Sequence, residues 1–284
     1  MKIALAQMAP HLGNTQSNFE LHLQAVEKAR REKVDLLIFP ELSLTGYLLK
    51  DLVETAALDP DKSPMFKEFR ALSRDISLVL GFVEEKAQEK GLFFNSTAFL
   101  DKGKVLHIHR KVFLPTSGMF DEGRFFAQGR NFHTFLTPYG KMGLLICRDF
   151  LHYGASYLLF AGGSEIIIVV SAAPGRGLAG KNEFATSRMW ELMGEAISRF
   201  SSAFVIYCNR VGLEDGIVFA GGSFIFNPFG KRVVQAPYFK KDFLIQEVDP
   251  ADIRRARKNW PFKRDDKPEV ILEALKRIVH DYED

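Results

Sequence analysis

Short apolar runs alternate along this chain with amphipathic stretches, and that alternation restricts the available folds more than any other feature. Val34–Phe39, Ser77–Val83, Glu165–Ser171 and Ala203–Cys208 are rich in Val, Ile, Leu and Phe and read as strands. Lys2–Met8 opens the chain as another, and Pro40 stops the run before it. Helical stretches lie between them. One is amphipathic from about Thr15 to Glu32. A second opens at Ser63-Pro64, an N-cap followed by proline at the first helical position, and runs toward Asp75. Others fall near Phe150–Phe160 and from about Glu183 to Phe200.

Hairpins interrupt the rhythm. Leu92–Leu100 and Lys104–Arg110 flank the turn Asp101-Lys102-Gly103. Phe132 to Ile146 folds back around Pro138-Tyr139-Gly140, and a further hairpin surrounds Asn227-Pro228-Phe229-Gly230. The tail from Asp266 ends in a helix. Mixed αβ repeats and hairpins predict mixed sheets with helices outside. No repeat, low-complexity tract or linker divides the sequence, so it reads as one domain over residues 1–284.

The formal charge of +3 is too small to argue for a nucleic-acid partner, and the densest basic stretch, Arg254 to Lys258, reads as a solvated face. Only two cysteines occur, Cys147 and Cys208, so there is no disulfide framework. The opening MKIALAQMAP is too short a hydrophobic run for a signal peptide, and no stretch approaches a membrane span. A cytoplasmic protein is expected.

Three reactive side chains follow directly on strands. Glu41 lies just past VDLLIFP, Lys111 ends KVLHIHR, and Cys147 ends KMGLLI. In αβ sheets, ligand sites gather at the carboxyl ends of strands, where loops converge. A thiol is only slightly ionised at neutral pH and needs a base or cation to activate it. Glu41 can be that base if burial makes its carboxylate basic enough. Lys111 favours thiolate and can donate to the oxyanion of a tetrahedral intermediate, and the N–H of Arg148 is a natural second donor. Cys147 is therefore expected to be accessible and partly thiolate, and Cys208, in FVIYCN, to be a buried inert thiol.

Each residue alone also has a plain structural explanation: a small buried hydrophobe, a loop carboxylate, a solvated lysine. Placement at three strand ends favours the chemistry, and composition goes no further. Tyr47, Phe113, Phe120, Phe125 and Phe126 could wall a cleft or pack in the core, and Asp121 and Glu122 could meet a substrate ammonium or amide. His107 and His109 alternate on a strand with no ligand cluster in metal spacing, so no metal is expected and both read as packed or hydrogen-bonded. Gly175-Arg176-Gly177-Leu178-Ala179-Gly180-Lys181-Asn182 matches G-x-G-x-x-G and nearly matches G-x-x-x-x-G-K-[ST]. A nucleotide-binding protein using Gly175–Lys181 is thus the rival from another class. Asn182 stands where the magnesium-binding hydroxyl belongs, so a flexible loop beside the active site is the reading preferred.

At these residues the chain resembles the nitrilase superfamily of carbon–nitrogen hydrolases over nearly its whole length. KIALAQMAPHLGN, FPELSLTGY around Glu41, HRKVFLPTSGMFDEGRFFAQG around Lys111, GLLICRDF around Cys147, YCNRVG and VFAGGSFIFNPFG carry the resemblance in order. It implies an α/β fold, the four-layer α-β-β-α sandwich, and a Glu-Lys-Cys triad of Glu41, Lys111 and Cys147. Glu122 matches a second glutamate that supports the lysine and substrate. No cofactor is implied, and a homodimer or higher homo-oligomer through helix–helix and C-terminal contacts is. CNRVGLEDGIVFAGGSF and SAAPGRGLAGK look closest to the glutaminase domains of glutamine-dependent NAD synthetases, a pattern that adds Ser171 and Arg188 as polar substrate contacts alongside Tyr47 and Phe120. The departures are Arg148, where those glutaminases usually carry an acidic residue, a stretched spacing from Pro174 to Gly180-Lys181, and no synthetase domain after Asp284. The expectation is a stand-alone amidase that converts a small-molecule amide to carboxylic acid and ammonia through a cysteine thioester. The alternatives are a glutaminase subunit feeding a separate NAD synthetase, or a nitrilase or carbamoyl-amide hydrolase.

Overall fold

The computed structural model describes residues 1–180 and 183–281, with the backbone alone at 178–180, 183 and 281. In chain order the strands begin with β1 Lys2–Gln7, β2 Leu36–Ile38, β3 Ser77–Glu84, β4 Phe94–Asp101 and β5 Lys104–Arg110. Then come β6 Thr134–Thr137, β7 Gly140–Ile146, β8 Ile166–Ser171, the short β9 Leu178–Gly180 and β10 Glu183–Phe184, and β11 Phe204–Asn209. The remainder are β12 Val211–Glu214, β13 Ile217–Ala220, β14 Phe224–Phe226, β15 Arg232–Gln235 and β16 Asp242–Glu247.

Two six-stranded sheets result, in the orders β16-β1-β2-β3-β4-β5 and β15-β14-β11-β8-β7-β6. Each has a parallel centre, β1-β2-β3 in one and β11-β8-β7 in the other, flanked by antiparallel strands. The period-2 alternation of strand side chains sets the layers. Ile3, Leu5, Leu36, Ile38 and Val79 pack into the core shared with the second sheet. Their neighbours Ala4, Ala6, Leu37, Leu78 and Leu80 face Val26, Phe66 and Phe69 of the helices Thr15–Arg31 and Pro64–Leu72. The second sheet carries the helices Tyr153–Ala161 and Ala185–Ser201 on its far side, where Trp190 stacks on Tyr207 at 5.3 Å. This is the expected four-layer sandwich.

Several local expectations change. Ser63 stands at its N-cap with Pro64 behind it, but its buried hydroxyl finds no partner among the described residues. The helix expected near 150–160 is two helices, Arg148–Leu151 and Tyr153–Ala161. The break falls at His152, whose backbone is extended and whose ring stacks on Phe113 at 3.6 Å. The next helix starts at Ala185 because Glu183 and Phe184 pair with β9 instead. A strand that the sequence pattern leaves unmarked, β16, lies along β1 from Lys2↔Glu247 to Gln7↔Asp242 and completes the first sheet.

Candidate active site

β2 and β5 of the first sheet and β7 and β8 of the second end at one edge, and their exits bring the expected residues together. Glu41 sits where the chain leaves β2 through Phe39-Pro40. β3 crosses so close behind it that a Cβ on Gly81 would lie 2.4 Å from the Pro40 carbonyl oxygen and 2.5 Å from the Leu42 nitrogen. Only glycine permits that approach. Glu41 is buried, and both of its carboxylate oxygens are hydrogen-bonded, with an acceptor position left on Oε2. Oε1 accepts from Asn95 Nδ2 at 2.7 Å and from Lys111 Nζ at 2.7 Å, and Oε2 accepts the Ala172 N–H at 2.7 Å.

Lys111 is wholly buried and also donates to Glu122 Oε1 at 2.7 Å. Burial works against its charge, but the carboxylates of Glu122 and Glu41 outweigh that and hold its pKa above the usual lysine range. Tyr47 donates its hydroxyl to the same Glu122 oxygen, while Glu122 Oε2 is buried without a partner among the described residues. The Glu122 carboxyl is pushed up to about 7, chiefly by burial, with Lys111 opposing and Glu41 adding to the rise. An ammonium between two buried carboxylates, one of them titrating near neutral pH, can pass or hold a proton without large rearrangement.

Cys147 follows β7 with φ 45 and ψ −104, a strained backbone for a residue with a Cβ, and its N–H is tied to the Val170 carbonyl at 2.8 Å. Arg148, half-buried, opens the short helix behind it, so its N–H is a first-turn donor with no intrahelical partner. The expectation of an accessible, partly ionised Cys147 is corrected. The residue is only 7% exposed, and its thiol is pushed up to about 12 by burial and then by the Glu41 charge, against which Lys111 prevails only in part. It rests as a neutral thiol beside a carboxylate.

Ser171, at the end of β8 next to the Cys147 elbow, has a buried hydroxyl without a partner among the described residues. Phe120 meets the Tyr47 ring edge-on at 6.2 Å, whereas Phe126 is buried with Tyr47, Ala172 and Phe219 as core. Asp121 is exposed. Arg188 is not brought to this cluster: its side chain is 65% exposed and reaches Glu191 at 3.4 Å. His107 stacks on Phe135 at 4.5 Å, and burial lowers its pKa to about 4. The Gly175 loop does not lead straight into a helix; Leu178–Gly180 pairs with Glu183–Phe184, and Lys181 and Asn182, on which the phosphate-binding match depends, lie outside the described residues. No group of three or more His, Cys, Asp or Glu among the described residues is placed to hold a metal ion.

Two residues that sequence reasoning passed over are central. Asn95 reaches Glu41 from the start of β4, beside the edge strand β5, and nothing in β4 marks it. Asp149 lies two places after Cys147, within the motif GLLICRDF, and that nearness was the available signal.

Residues 2–258 match the carbon–nitrogen hydrolase family, and the chain belongs to it. Within that class it is 34% identical over 281 residues to the glutamine-dependent NAD(+) synthetase of Acinetobacter baylyi, a match covering 99% of this chain and 50% of the synthetase. The chain spans about half the length of the synthetases it matches. It is also 29% identical over 267 residues to an (R)-stereoselective amidase of a Pseudomonas species, covering 93% of this chain and 91% of the amidase. The crystal structure of a carbon–nitrogen hydrolase from Helicobacter pylori G27 superposes with a TM-score of 0.83 at 25% identity, over 98% of this chain and 99% of that one.

Proposed function

We propose that this chain is an amidase, with Cys147 as nucleophile, Glu41 as general base and acid, and Lys111 as oxyanion donor. The observation that carries the reading is the Lys111 ammonium held at 2.7 Å by Glu41 and at 2.7 Å by Glu122, with the Cys147 thiol in the field of all three. Because the thiol is neutral at rest, its proton passes to Glu41 as the sulfur attacks the amide carbon. The C–S bond forms, and the carbonyl oxygen takes the negative charge opposite Lys111 Nζ and the Arg148 N–H. Collapse breaks the C–N bond while Glu41 returns the proton to nitrogen, which leaves as ammonia. Water, deprotonated by Glu41, then attacks the thioester; the acid departs and the thiol is restored. Glu122 Oε2 and the Ser171 hydroxyl, both buried without a partner among the described residues, are polar groups placed for the substrate, with Tyr47 and Phe120 as walls.

Support from relatives is twofold, since one similar protein is named an amidase and others are glutamine-dependent synthetases. The second favours an alternative in which this chain hydrolyses glutamine and passes ammonia to a separate NAD synthetase. Ammonia release from a panel of glutamine, ω-amides, carbamoyl compounds and nitriles separates these. Rapid quench and intact mass spectrometry should catch an acyl adduct on Cys147. Absence of ammonia from every compound, or turnover in Cys147→Ala, would overturn the reading.

We also infer a homo-oligomer. Tyr153, Leu158 and Phe200 border an apolar groove with Ile271, Leu272 and Leu275 of the helix Pro268–Asp281, an exposed apolar face of the kind that marks a contact with a second copy. Light scattering should give at least a dimer; a monomer at micromolar concentration counts against it. Among the described residues no helix is long and apolar enough to cross a membrane.

A further inference from the structure

Asp149 takes no part in the steps above, yet it touches both halves of the site. It is wholly buried. Its Oδ1 accepts the N–H groups of Val112 at 3.1 Å and Phe113 at 2.9 Å, the two residues directly after Lys111. Its Oδ2 accepts the N–H of Ile146, directly before Cys147, at 3.2 Å. The same oxygen lies 2.8 Å from His109 Nε2, two residues before Lys111. An ionised carboxylate can only accept, so Nε2 carries the proton of that contact. One side chain thus collects four donors, three from the chain around Lys111 in the first sheet and one from the elbow in the second.

The two ends it joins need such a tie. Cys147 is held at a positive φ, which costs on the order of 1–3 kcal/mol and persists only where surrounding contacts enforce it. The Cys147 N–H is anchored to Val170, within its own sheet. Asp149 adds the anchor that refers the elbow to the other sheet, where Lys111 is fixed. A buried carboxylate with four donors is well compensated and so can hold that geometry firmly.

We propose that Asp149, oriented by His109, is the positioning residue that sets the spacing between Lys111 and Cys147. The inference rests on the reading of those two as oxyanion donor and nucleophile. Asparagine at 149 keeps the shape but has one acceptor oxygen and one donor group. With its oxygen toward Val112 and Phe113, its NH2 confronts the Ile146 N–H; flipped, it confronts the other pair. Either way one end comes loose.

The test uses Asp149→Asn, His109→Gln, His109→Phe and Cys147→Ser, with the amide that the wild type hydrolyses best. A misplacement near 1 Å costs about 10²-fold, so Asp149→Asn should lose roughly that in kcat with KM changed by less than about 3-fold. Alkylation of Cys147 by iodoacetamide should slow as well. Glutamine at 109 can still donate to Asp149, and phenylalanine cannot. His109→Gln should therefore stay near wild type, while His109→Phe loses roughly 10-fold in kcat, the worth of one hydrogen bond to a charged group. A merely structural role would lower Tm and leave kcat per folded molecule unchanged in all three. Folded Asp149→Asn with wild-type kcat and alkylation rate overturns the proposal, as does His109→Gln as poor as His109→Phe. Should Asp149→Asn not fold, the His109 pair decides alone. Turnover in Cys147→Ser would instead remove the underlying reading, so the two failures are distinct.

Discussion

Replacing Glu122 by glutamine takes a charge out of a dry site while keeping its shape, and stability and turnover should respond in opposite directions. The Glu122 carboxyl is displaced upward by burial first, with Lys111 opposing and Glu41 assisting, from 4.5 to about 7. Between those values the folded protein holds a proton that the unfolded chain has already released. Stability from this group is therefore fully present below 4.5 and is lost as pH rises through about 7. At about 1.4 kcal/mol per pH unit of displacement, the loss is on the order of 3 kcal/mol. Glutamine has no proton to lose. Glu122→Gln should match the wild type near pH 4.5 and exceed it by roughly 3 kcal/mol at pH 8. Turnover should fall, because Lys111 loses one of its two counter-charges and its aim. Equilibrium urea unfolding of both proteins from pH 4.5 to 8, beside steady-state kinetics, checks this. Parallel stability curves, or a glutamine variant that is less stable at pH 8, would refute the reasoning.

Lys111→Met should lower kcat by about 10²–10³, the usual cost of one oxyanion donor, and Lys111→Arg should fail too because a forked guanidinium cannot take an ammonium's place. Near-wild-type kcat in either folded variant makes Lys111 structural. The two cysteines should part company under iodoacetamide. Cys147 labels first, with substrate protecting it, whereas Cys208, which donates to the Ile38 carbonyl at 3.4 Å and whose pKa burial pushes far up, resists. Cys147→Ser should lose turnover and Cys208→Ser keep activity per folded molecule; activity that follows Cys208 excludes covalent chemistry at Cys147. Gly81→Ala places a methyl against the Pro40–Leu42 backbone, so thermal melts should show an overpacking cost of about 1–3 kcal/mol or more, and kcat should fall as Glu41 shifts.

What can be read from the residues depends on whether the information is local. Glu41, Lys111 and Cys147 each terminate an apolar run, and a run that stops abruptly on a charged or reactive group is visible in one dimension. β16 has no such mark. Its residues are mostly half-exposed, and it becomes a strand because β1 offers an edge to pair with at the opposite end of the chain. Asn95 and Asp149 are polar residues whose partners lie on other strands, so their work is defined only by the packed sheets. Arg188 shows the converse, a residue whose helix turns it toward solvent and Glu191. The ionisation of Cys147 is the sharpest case. Local reasoning counts a cation and a helix start, both favouring thiolate. The fold adds full enclosure and the Glu41 carboxylate, and those two dominate. A helix of one turn, Arg148–Leu151, has too few aligned peptides to offset them. On the mechanism proposed, the thiolate is then made at the moment of attack, which ties the reactivity of Cys147 to the placement of Glu41 and not to a standing thiolate.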